Sequence, residues 1–218
     1  THKMQFWEIT LKLLEGLQTT TLIFILTLVM ALPLGLIISF GSMSKFKPLA
    51  FITKVFVWII RGVPLMLQWD ERWGYLDYGK NICGISGCGP TSLAMVAYYL
   101  TGDTKYTPVY MMQFATEGKH VGANGGTNWS LFNQGAVELG FNVEELPAVE
   151  SRVAKRLQDG IPVVINVKEG KFTTGGHYMV LVGYEDGKFR INDPNSPANS
   201  EKLWEFEEFA QDIKMMWS

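Results

Sequence analysis

Apolar and charged residues are distributed unevenly along this chain. Residues 16–44 contain no charged side chain, whereas charges are scattered evenly from Asp70 onward. Residues 22–40 are apolar apart from two hydroxyl side chains, one proline and one glycine. Because about 20 apolar helical residues span the roughly 30 Å hydrocarbon layer of a bilayer, this pattern predicts a transmembrane helix. A secretory signal peptide fits less well, since its apolar region is only about 7 to 15 residues long.

A second apolar segment covers residues 48–68 and contains Lys54 and Arg61. A cation at mid-membrane costs about 2.5 to 3.5 kcal/mol on insertion scales, so this segment is a poor span by itself. Lys45 and Lys47 directly follow the first helix. Because positively charged loops favour the cytoplasmic side of a membrane, we expect this end of the helix to face the cytoplasm. If the second segment also spans, the remainder of the chain lies outside the cytoplasm; if it lies along the interface, the remainder stays inside.

Regular periodicities mark the remainder of the chain. Apolar residues three and four apart predict helices over residues 91–100, 108–116, 129–139, 147–159 and 206–216. Apolar runs predict strands over residues 141–146 and 162–167, and a hairpin over residues 175–194 that turns at Asp186-Gly187. Because the helices come first and the sheet later, we expect an α+β domain with a cleft between two lobes.

The composition changes at residues 68–74, where aromatic, charged and glycine residues replace the apolar run. We place the domain boundary there, which gives a membrane segment over residues 1–67 and a domain over residues 68–218. The second part has enough chain to bury its own core. The net charge of -2 argues against nucleic acid as a partner of the whole chain.

Cys88 lies at the start of the predicted helix over residues 91–100. Pro90 suits the first helical position, where no amide donor is needed, and Gly87 and Gly89 leave room beside the sulfur. Unpaired amides and the helix dipole at this position favour the thiolate, which is the nucleophilic form of cysteine. The pattern indicates a nucleophile, against the plainer alternative of a small apolar side chain packed at a helix start.

His177 opens the first strand of the predicted hairpin, and Asp193 ends the second. With a thiol they are the parts of a relay of nucleophile, base and orienting acid. A two-residue turn would pair Val180 with Asp193 and leave His177 on the other face, so a bulge, a longer turn or an early end of the ladder is needed. The alternatives are a core histidine, an aspartate that only starts a turn, and Asn192 as the orienting group.

Two cysteines and three histidines limit the remaining chemistry. Cys83 and Cys88 are too few for a disulfide-built fold, and with His2, His120 and His177 they show no zinc-binding spacing. We therefore expect neither a metal nor another cofactor. A disulfide between Cys83 and Cys88 stays open in an oxidising compartment, although it would consume the nucleophile. His2 and His120 are expected to face solvent.

Five short motifs follow one another along residues 68–218. They are QWDERWG at residues 68–74, GCGPTSLAMV at 87–96, GTNWS at 126–130, GGHY at 175–178 and NDP at 192–194. In this order they resemble papain-like cysteine peptidases of the bacteriocin-processing, double-glycine-leader type, especially the extracytoplasmic ones. The resemblance implies an α+β fold with a helical lobe and an antiparallel sheet. It also implies Cys88 as nucleophile, His177 as general base and acid, Asp193 as the group that orients the imidazole, and Gln68 as a donor to the oxyanion.

The membrane segment carries two further motifs, LLEGLQTT at residues 13–20 and RGVPLMLQ at 61–68. Residues 4–68 thereby resemble the start of the inner-membrane permease subunits of polar amino-acid ABC importers. This resemblance implies membrane insertion of one or two helices and ABC-transporter subunits as partners, although the later permease helices do not follow in this chain. Gln68 also ends the second motif, so its other interpretation is a polar cap at a membrane-proximal helix end.

The sequence thus predicts a membrane-tethered cysteine peptidase that acts on a peptide or protein substrate through a Cys-His-Asp triad and a thioester. The lipid bilayer is an expected partner through residues 17–67, and the peptidase domain is expected on the extracytoplasmic side of the cell membrane. Two other interpretations stay open: a fragment of an importer permease joined to a soluble tail, and a catalytically silent module that binds peptides.

Overall fold

The structure of this protein is a computed structural model that describes residues 17, 18, 20–29, 31, 33 and 62–218. The chain divides into two units, Thr1–Ile60 and Arg61–Ser218. In the first unit residues 20–29 are helical. No helix in the described part of the chain is long and apolar enough to cross a bilayer. The predicted transmembrane helix covers residues 22–40, and beyond residue 29 only residues 31 and 33 of it are described. The second apolar segment lies outside the described residues up to residue 61.

The second unit includes residues that we expected in the membrane segment. Residues 62–67 are not helical, and Val63 and Met66 pack against the apolar core of this unit. The Val63 carbonyl accepts a hydrogen bond from Asn192 Nδ2 at 3.0 Å, and the Trp73 indole donates to the Leu67 carbonyl at 2.7 Å. The observed unit therefore begins at residue 61 rather than at residue 68.

An antiparallel sheet of five strands forms the second half of this unit. Its strands are β3 (Val163–Val167), β4 (His177–Glu185), β5 (Lys188–Asn192), β6 (Leu203–Trp204) and β7 (Ile213–Trp217). They lie in the order β6-β5-β4-β3-β7, so β4 is central and β6 and β7 form the edges. Two shorter strands, β1 (Asp77–Tyr78) and β2 (Asn81–Ile82), pair with each other near the start of the unit.

The helices come mostly before the sheet, as the sequence predicted. They are α1 (Cys83–Ser86), α2 (Cys88–Thr101), α3 (Pro108–Glu117), a π-helical turn (Leu131–Gly135) that continues into α4 (Ala136–Glu138), α5 (Glu150–Gln158) and α6 (Pro197–Ser200). The longest of them, α2, ends where Gly102 adopts a left-handed φ of 69° and donates its amide to the Tyr98 carbonyl at 2.8 Å. The observed architecture is α+β with an antiparallel sheet.

The sheet carries an apolar core on each face because successive strand residues point to opposite sides. Tyr178 and Val180 belong to the cluster that includes side chains of α2 and α3, whereas Met179 and Leu181 belong to the cluster that includes side chains of α5. Burying a side chain of this size stabilises the fold by about 1.5 to 3 kcal/mol. The core beneath α2 thereby holds the first turn of that helix close to the start of β4.

The predicted hairpin is present, with a tight turn between β4 and β5. Glu185 pairs with Lys188, and the two residues between them are Asp186 and Gly187. Both have positive φ, 50° and 80° respectively, as a type I′ turn requires. Glycine adopts this conformation at no steric cost, and aspartate tolerates it better than most residues.

The same hairpin contains a bulge in β4. The pairing register shifts between residues 181 and 183, so that Val180 pairs with Asn192 rather than with Asp193. Side chains of directly opposed residues lie on the same face of a sheet, and a shift of one residue moves a side chain to the other face. The bulge therefore brings Asp193 to the face of His177.

Two predicted elements are wrong. Residues 206–216 were expected to form a helix, but they form two 3-10 turns (Phe206–Glu208 and Ala210–Asp212) and the edge strand β7. Backbone pairing of β7 with β3 overrides the local helix tendency of this segment. Residues 141–146 were expected to form a strand, but they make only an isolated bridge, from Glu145 to Trp217 at the outer side of β7.

Candidate active site

Cys88 is the first residue of α2, so its amide precedes the hydrogen-bonded part of the helix. The first amides of a helix have no acceptor within that helix, so the Cys88 amide has none within α2. Glycines flank the cysteine, and a Cβ added at Gly89 would lie 2.5 Å from Thr127 Oγ1. Cys88 therefore lies in the first turn of α2, with Thr127 packed against the glycine that follows it.

His177 and Asp193 form a buried pair. His177 Nε2 lies 2.7 Å from Asp193 Oδ1, and the two residues are 5% and 1% exposed. The carboxylate has further donors, because it accepts hydrogen bonds from the Asn195 amide at 2.8 Å and from Asn199 Nδ2 at 2.7 Å. These donors fix the plane of the carboxylate and so the orientation of the imidazole.

The Cys88 thiol is close enough to the His177 ring to influence its pKa. Burial by itself lowers the pKa of His177, but Asp193 and Cys88 outweigh it and raise the pKa to about 10. Burial raises the pKa of Asp193, whereas its bonds and charge interaction with His177 and its bonds from Asn199 and Asn195 lower it more strongly, so the net shift is downward. Both shifts favour the ionised forms, the imidazolium of His177 and the carboxylate of Asp193.

Gln68 is buried next to the end of β5. Its backbone N–H donates to the Pro194 carbonyl at 2.8 Å, and its side-chain Nε2 donates to the Gly84 carbonyl at 2.9 Å. A glutamine Nε2 carries two hydrogens, so one donor remains after the bond to Gly84. Gln68 Oε1 has no hydrogen-bond partner among the described residues. Both bonds hold Gln68 to residues of the second unit.

Several other sequence expectations have different outcomes. Asn192, the alternative orienting group, turns away from the imidazole, because its side chain donates to the Val63 carbonyl. His120, which was expected to face solvent, is 3% exposed and shares a 2.9 Å hydrogen bond with Ser130 Oγ. This expectation was wrong because the glycines around the ring let it pack inside. His2 lies outside the described residues.

The two cysteines are both free thiols. Cys83 is fully buried, and burial raises the pKa of its thiol to about 11. Cys88 is only partly buried. The two thiols therefore differ in accessibility, and the structure does not contain the disulfide that the sequence left open.

The sequence did not single out Asn199, which donates to Asp193 Oδ2. Its position six residues after Asp193 is a weak signal, since it depends on the short helix α6 that Ser196 and Pro197 begin. The Ser196 side chain caps that helix by accepting from the Asn199 amide at 3.2 Å. A serine-proline pair directly after the predicted acid could have indicated such a turn.

No metal site is evident in the part of the chain that the structure describes, where no three histidine, cysteine, aspartate or glutamate side chains cluster in a way that could hold an ion. The site consists of a thiol, an imidazole, a carboxylate and a side-chain amide. These groups can carry out nucleophilic attack, proton transfer and stabilisation of an oxyanion.

The fold and this set of side chains define a papain-like α+β domain. The sequence model of the Peptidase_C39 like family matches residues 60–218, which is more than half of the chain. The chain therefore belongs to the Peptidase_C39 like family. This match confirms the peptidase part of the resemblance and gives no support to the permease part, over residues 4–68. No curated protein matches the chain in sequence.

Two solved structures are similar to this chain. One is a Bacillus anthracis protein described as a C39-like peptidase, with 21% identity over 71% of this chain and 92% of that chain, and a TM-score of 0.48. The other is the peptidase domain of Streptococcus ComA, described as a bifunctional ABC transporter of a quorum-sensing pathway, with 23% identity, 62% and 90% coverage, and a TM-score of 0.45. At these values they carry no argument about the site of this chain.

Proposed function

We propose that the chain is a cysteine peptidase that hydrolyses peptide bonds, with Cys88 as nucleophile, His177 as general base and acid, and Asp193 as orienting group. The observation that carries the proposal is the buried 2.7 Å contact between His177 and Asp193, with the Cys88 thiol near enough to the same ring to raise its pKa. Membership of the Peptidase_C39 like family supports the same class of function. The substrate is a peptide or a protein.

In the first half of the reaction, Cys88 attacks the peptide carbonyl carbon as a thiolate beside the protonated His177 ring. The C–S bond forms while the carbonyl electron pair moves to oxygen. The free amide of Cys88 and the second N–H of Gln68 Nε2 donate to this oxyanion. His177 then gives its proton to the amine nitrogen, the C–N bond breaks, and the acyl group remains on Cys88 as a thioester.

In the second half, water attacks the thioester carbon while His177 accepts one of its protons. The resulting oxyanion collapses, the C–S bond breaks, and the carboxylic acid leaves. The thiolate and the imidazolium are restored. Asp193 holds Nε2–H throughout, which keeps the other ring nitrogen aimed at the sulfur. Every proton and electron pair is accounted for by these residues, the peptide and one water.

The proposal is tested by incubating the full chain with a random decapeptide library and identifying the products by mass spectrometry. Wild-type chain should cut peptides, and Cys88→Ala should cut none. Cys83→Ala is the matched control, because it removes the other thiol, which is fully buried. Cleavage that survives Cys88→Ala overturns the proposal. Binding of peptides without cleavage by the wild-type chain also overturns it, in favour of the silent binding module.

We also propose that residues 17–60 attach the chain to a lipid bilayer and that the peptidase domain lies on the extracytoplasmic side of the cell membrane. The proposal rests on the uncharged run over residues 16–44 and on the resemblance to extracytoplasmic peptidases. The full chain, expressed in a bacterium, should remain with membranes after an alkaline carbonate wash, and protease added to intact spheroplasts should digest the domain. Recovery in the soluble fraction contradicts the attachment, and digestion only after lysis contradicts the orientation.

A further inference from the structure

Asn166 is a buried amide in an otherwise apolar strand. It lies in β3, whose other residues are valine and isoleucine, and it is 5% exposed. A buried amide is destabilising unless its polar atoms are paired. Asn166 Oδ1 accepts from Trp129 Nε1 at 3.0 Å, and Asn166 Nδ2 donates to the His177 carbonyl at 3.1 Å. The amide has only this orientation, because an indole N–H only donates and a carbonyl only accepts.

Trp129 is a partly exposed indole that is held on several sides. Its N–H is taken by Asn166, and its ring packs edge-on against Trp217 with 6.3 Å between ring centroids. Lys214 Nζ lies 5.6 Å from the centroid of the indole ring. Since 37% of Trp129 is exposed and its one polar atom is already paired, the accessible part is a fixed apolar surface.

The loop before Trp129 lies against the start of α2. Thr127, two residues earlier, fills the space beside Gly89, where a side chain would clash with it. Gly89 directly follows the proposed nucleophile. The loop that carries Trp129 is thus in contact with the nucleophile's helix at one point, and is bonded through Asn166 to the main chain of His177 at another.

A second exposed indole, Trp69, is connected to Asp193 through hydrogen bonds of Asn195. Its Nε1 donates to the Asn195 carbonyl at 3.0 Å, and the Asn195 amide donates to Asp193 Oδ1 at 2.8 Å. Trp69 directly follows Gln68, the proposed oxyanion donor. One indole is therefore connected to His177 and the other to Asp193, so the two have different positions relative to a bound peptide.

We infer that Trp129 is a specificity-determining residue for the acyl part of the substrate and that Asn166 is the positioning residue that ties it to His177. The inference rests on the proposed peptidase function. In the proposed complex the acyl part, which stays bonded to the Cys88 sulfur in the thioester, runs along the loop that contacts Gly89. An apolar side chain of this part packs on the indole. The substrate class is therefore peptides with an apolar residue on the N-terminal side of the cut.

The specificity role is tested with the full chain and the random decapeptide library. Wild-type chain should favour apolar residues at one position N-terminal to the cut. Trp129→Ala should reduce that preference roughly tenfold in relative kcat/KM, and Trp129→Phe, which keeps an aromatic face, should retain most of it. Trp69→Ala is the matched control and should leave the N-terminal preference in place. An N-terminal profile in Trp129→Ala equal to that of wild type overturns the specificity role.

The positioning role is tested with Asn166→Asp. While the new carboxyl is protonated, its hydroxyl donates to the His177 carbonyl and its other oxygen accepts from Trp129, so kcat is retained. When the carboxyl ionises, the donor is lost and kcat falls, which adds a limb to the pH profile as pH rises. Asn166→Leu removes both bonds and should lower kcat at every pH. Thermal unfolding at each pH identifies folded samples, and a pH profile of folded Asn166→Asp equal to that of wild type overturns the positioning role.

Failure of this inference and failure of the proposed function give different results. If the wild-type chain cuts no peptide, or if Cys88→Ala cuts equally well, the peptidase function fails and this inference fails with it. If cleavage depends on Cys88 while Trp129→Ala keeps the wild-type profile, only this inference fails.

Discussion

The imidazole of His177 and the carboxylate of Asp193 meet on one face of the β4–β5 hairpin because β4 carries one extra residue. That residue is Val182, which the pairing with β5 skips. Without it, the Asp186-Gly187 turn would pair Val180 with Asp193, and the two functional side chains would point to opposite faces. A bulge shifts the pairing by one residue, so the side chains beyond it point to the other face of the sheet. The geometry of the site therefore depends on the bulge at Val182.

Asp193 helps to hold His177 in its protonated form. Burial by itself lowers the pKa of His177, and the hydrogen bond and charge of Asp193 are among the causes that raise it to about 10. We expect Asp193→Asn to keep a bond to Nε2 but to move the alkaline limb of kcat/KM to lower pH, because the imidazolium loses its anionic partner. Asp193→Ala should lower kcat/KM roughly 10²-fold. A pH–rate profile measures both, and an alkaline limb that does not move in Asp193→Asn contradicts this expectation.

The same ionic pair should make stability depend on pH in a defined direction. The pKa of His177 is raised on folding, so its stabilising contribution is full below about pH 6.5, the unfolded value, and is lost as pH rises through about 10. The pKa of Asp193 is lowered, so its contribution is present above about pH 3.9 and is lost as pH falls through the folded value.

We therefore expect the free energy of unfolding of the wild-type chain to fall more steeply above neutral pH than that of His177→Asn. Urea unfolding at several pH values between about 6 and 10 measures the difference between the two chains, in which the titration of shared groups cancels. Parallel curves for the two chains would show that the pair is not ionic in the folded state.

Gln68 should matter for the chemical step more than for substrate binding. Its second Nε2–H is proposed to meet the oxyanion, and removing one such donor lowers kcat by about 10²-fold to 10³-fold. We expect Gln68→Ala to lower kcat by this order with little change in KM. Because Gln68 also bonds to the Gly84 carbonyl, the melting temperature of the variant is the control for folding. A folded variant with kcat within about twofold of wild type removes Gln68 from the oxyanion site.

The two thiols should react very differently with an alkylating reagent. Cys88 is partly accessible and lies near the His177 ring, whereas Cys83 is fully buried. At about pH 5.5 we expect iodoacetamide to modify Cys88 faster than a model thiol of pKa about 8.5, because the proposed mechanism has His177 accept the thiol proton as the sulfur attacks. Peptide mapping should find Cys83 unmodified while the chain is folded. Equal rates for Cys88 in wild type and in His177→Ala would contradict the activation of Cys88 by His177.

The sequence predicted most of the helices and the hairpin because their signals are local. Pro90 and the apolar spacing after it indicate α2, and the predicted helix over residues 108–116 corresponds to α3. The Asp186-Gly187 pair selects the turn by its positive φ values. These are properties of a few adjacent residues. The α+β class followed from their order along the chain.

The remainder of the fold depends on contacts between distant residues. The segment that forms β7 contains lysine and methionines, which favour helices locally, and it becomes a strand only through pairing with β3. The turn residues give no signal of the bulge, which lies at Val182, several residues before the turn. Asn166 looks like one polar residue in an apolar run, and its bonds to Trp129 and His177 are visible only after folding.

The central claim, that Cys88 attacks the peptide carbonyl, is tested most directly by trapping the acyl intermediate. The full chain is mixed with a peptide that it cuts, the reaction is quenched with acid within one turnover, and the chain is mapped by mass spectrometry. The account predicts an added mass equal to the N-terminal product less water, located on Cys88 and absent from Cys88→Ala. Cleavage by the wild-type chain without this adduct, and at the same rate in Cys88→Ala, would contradict the account.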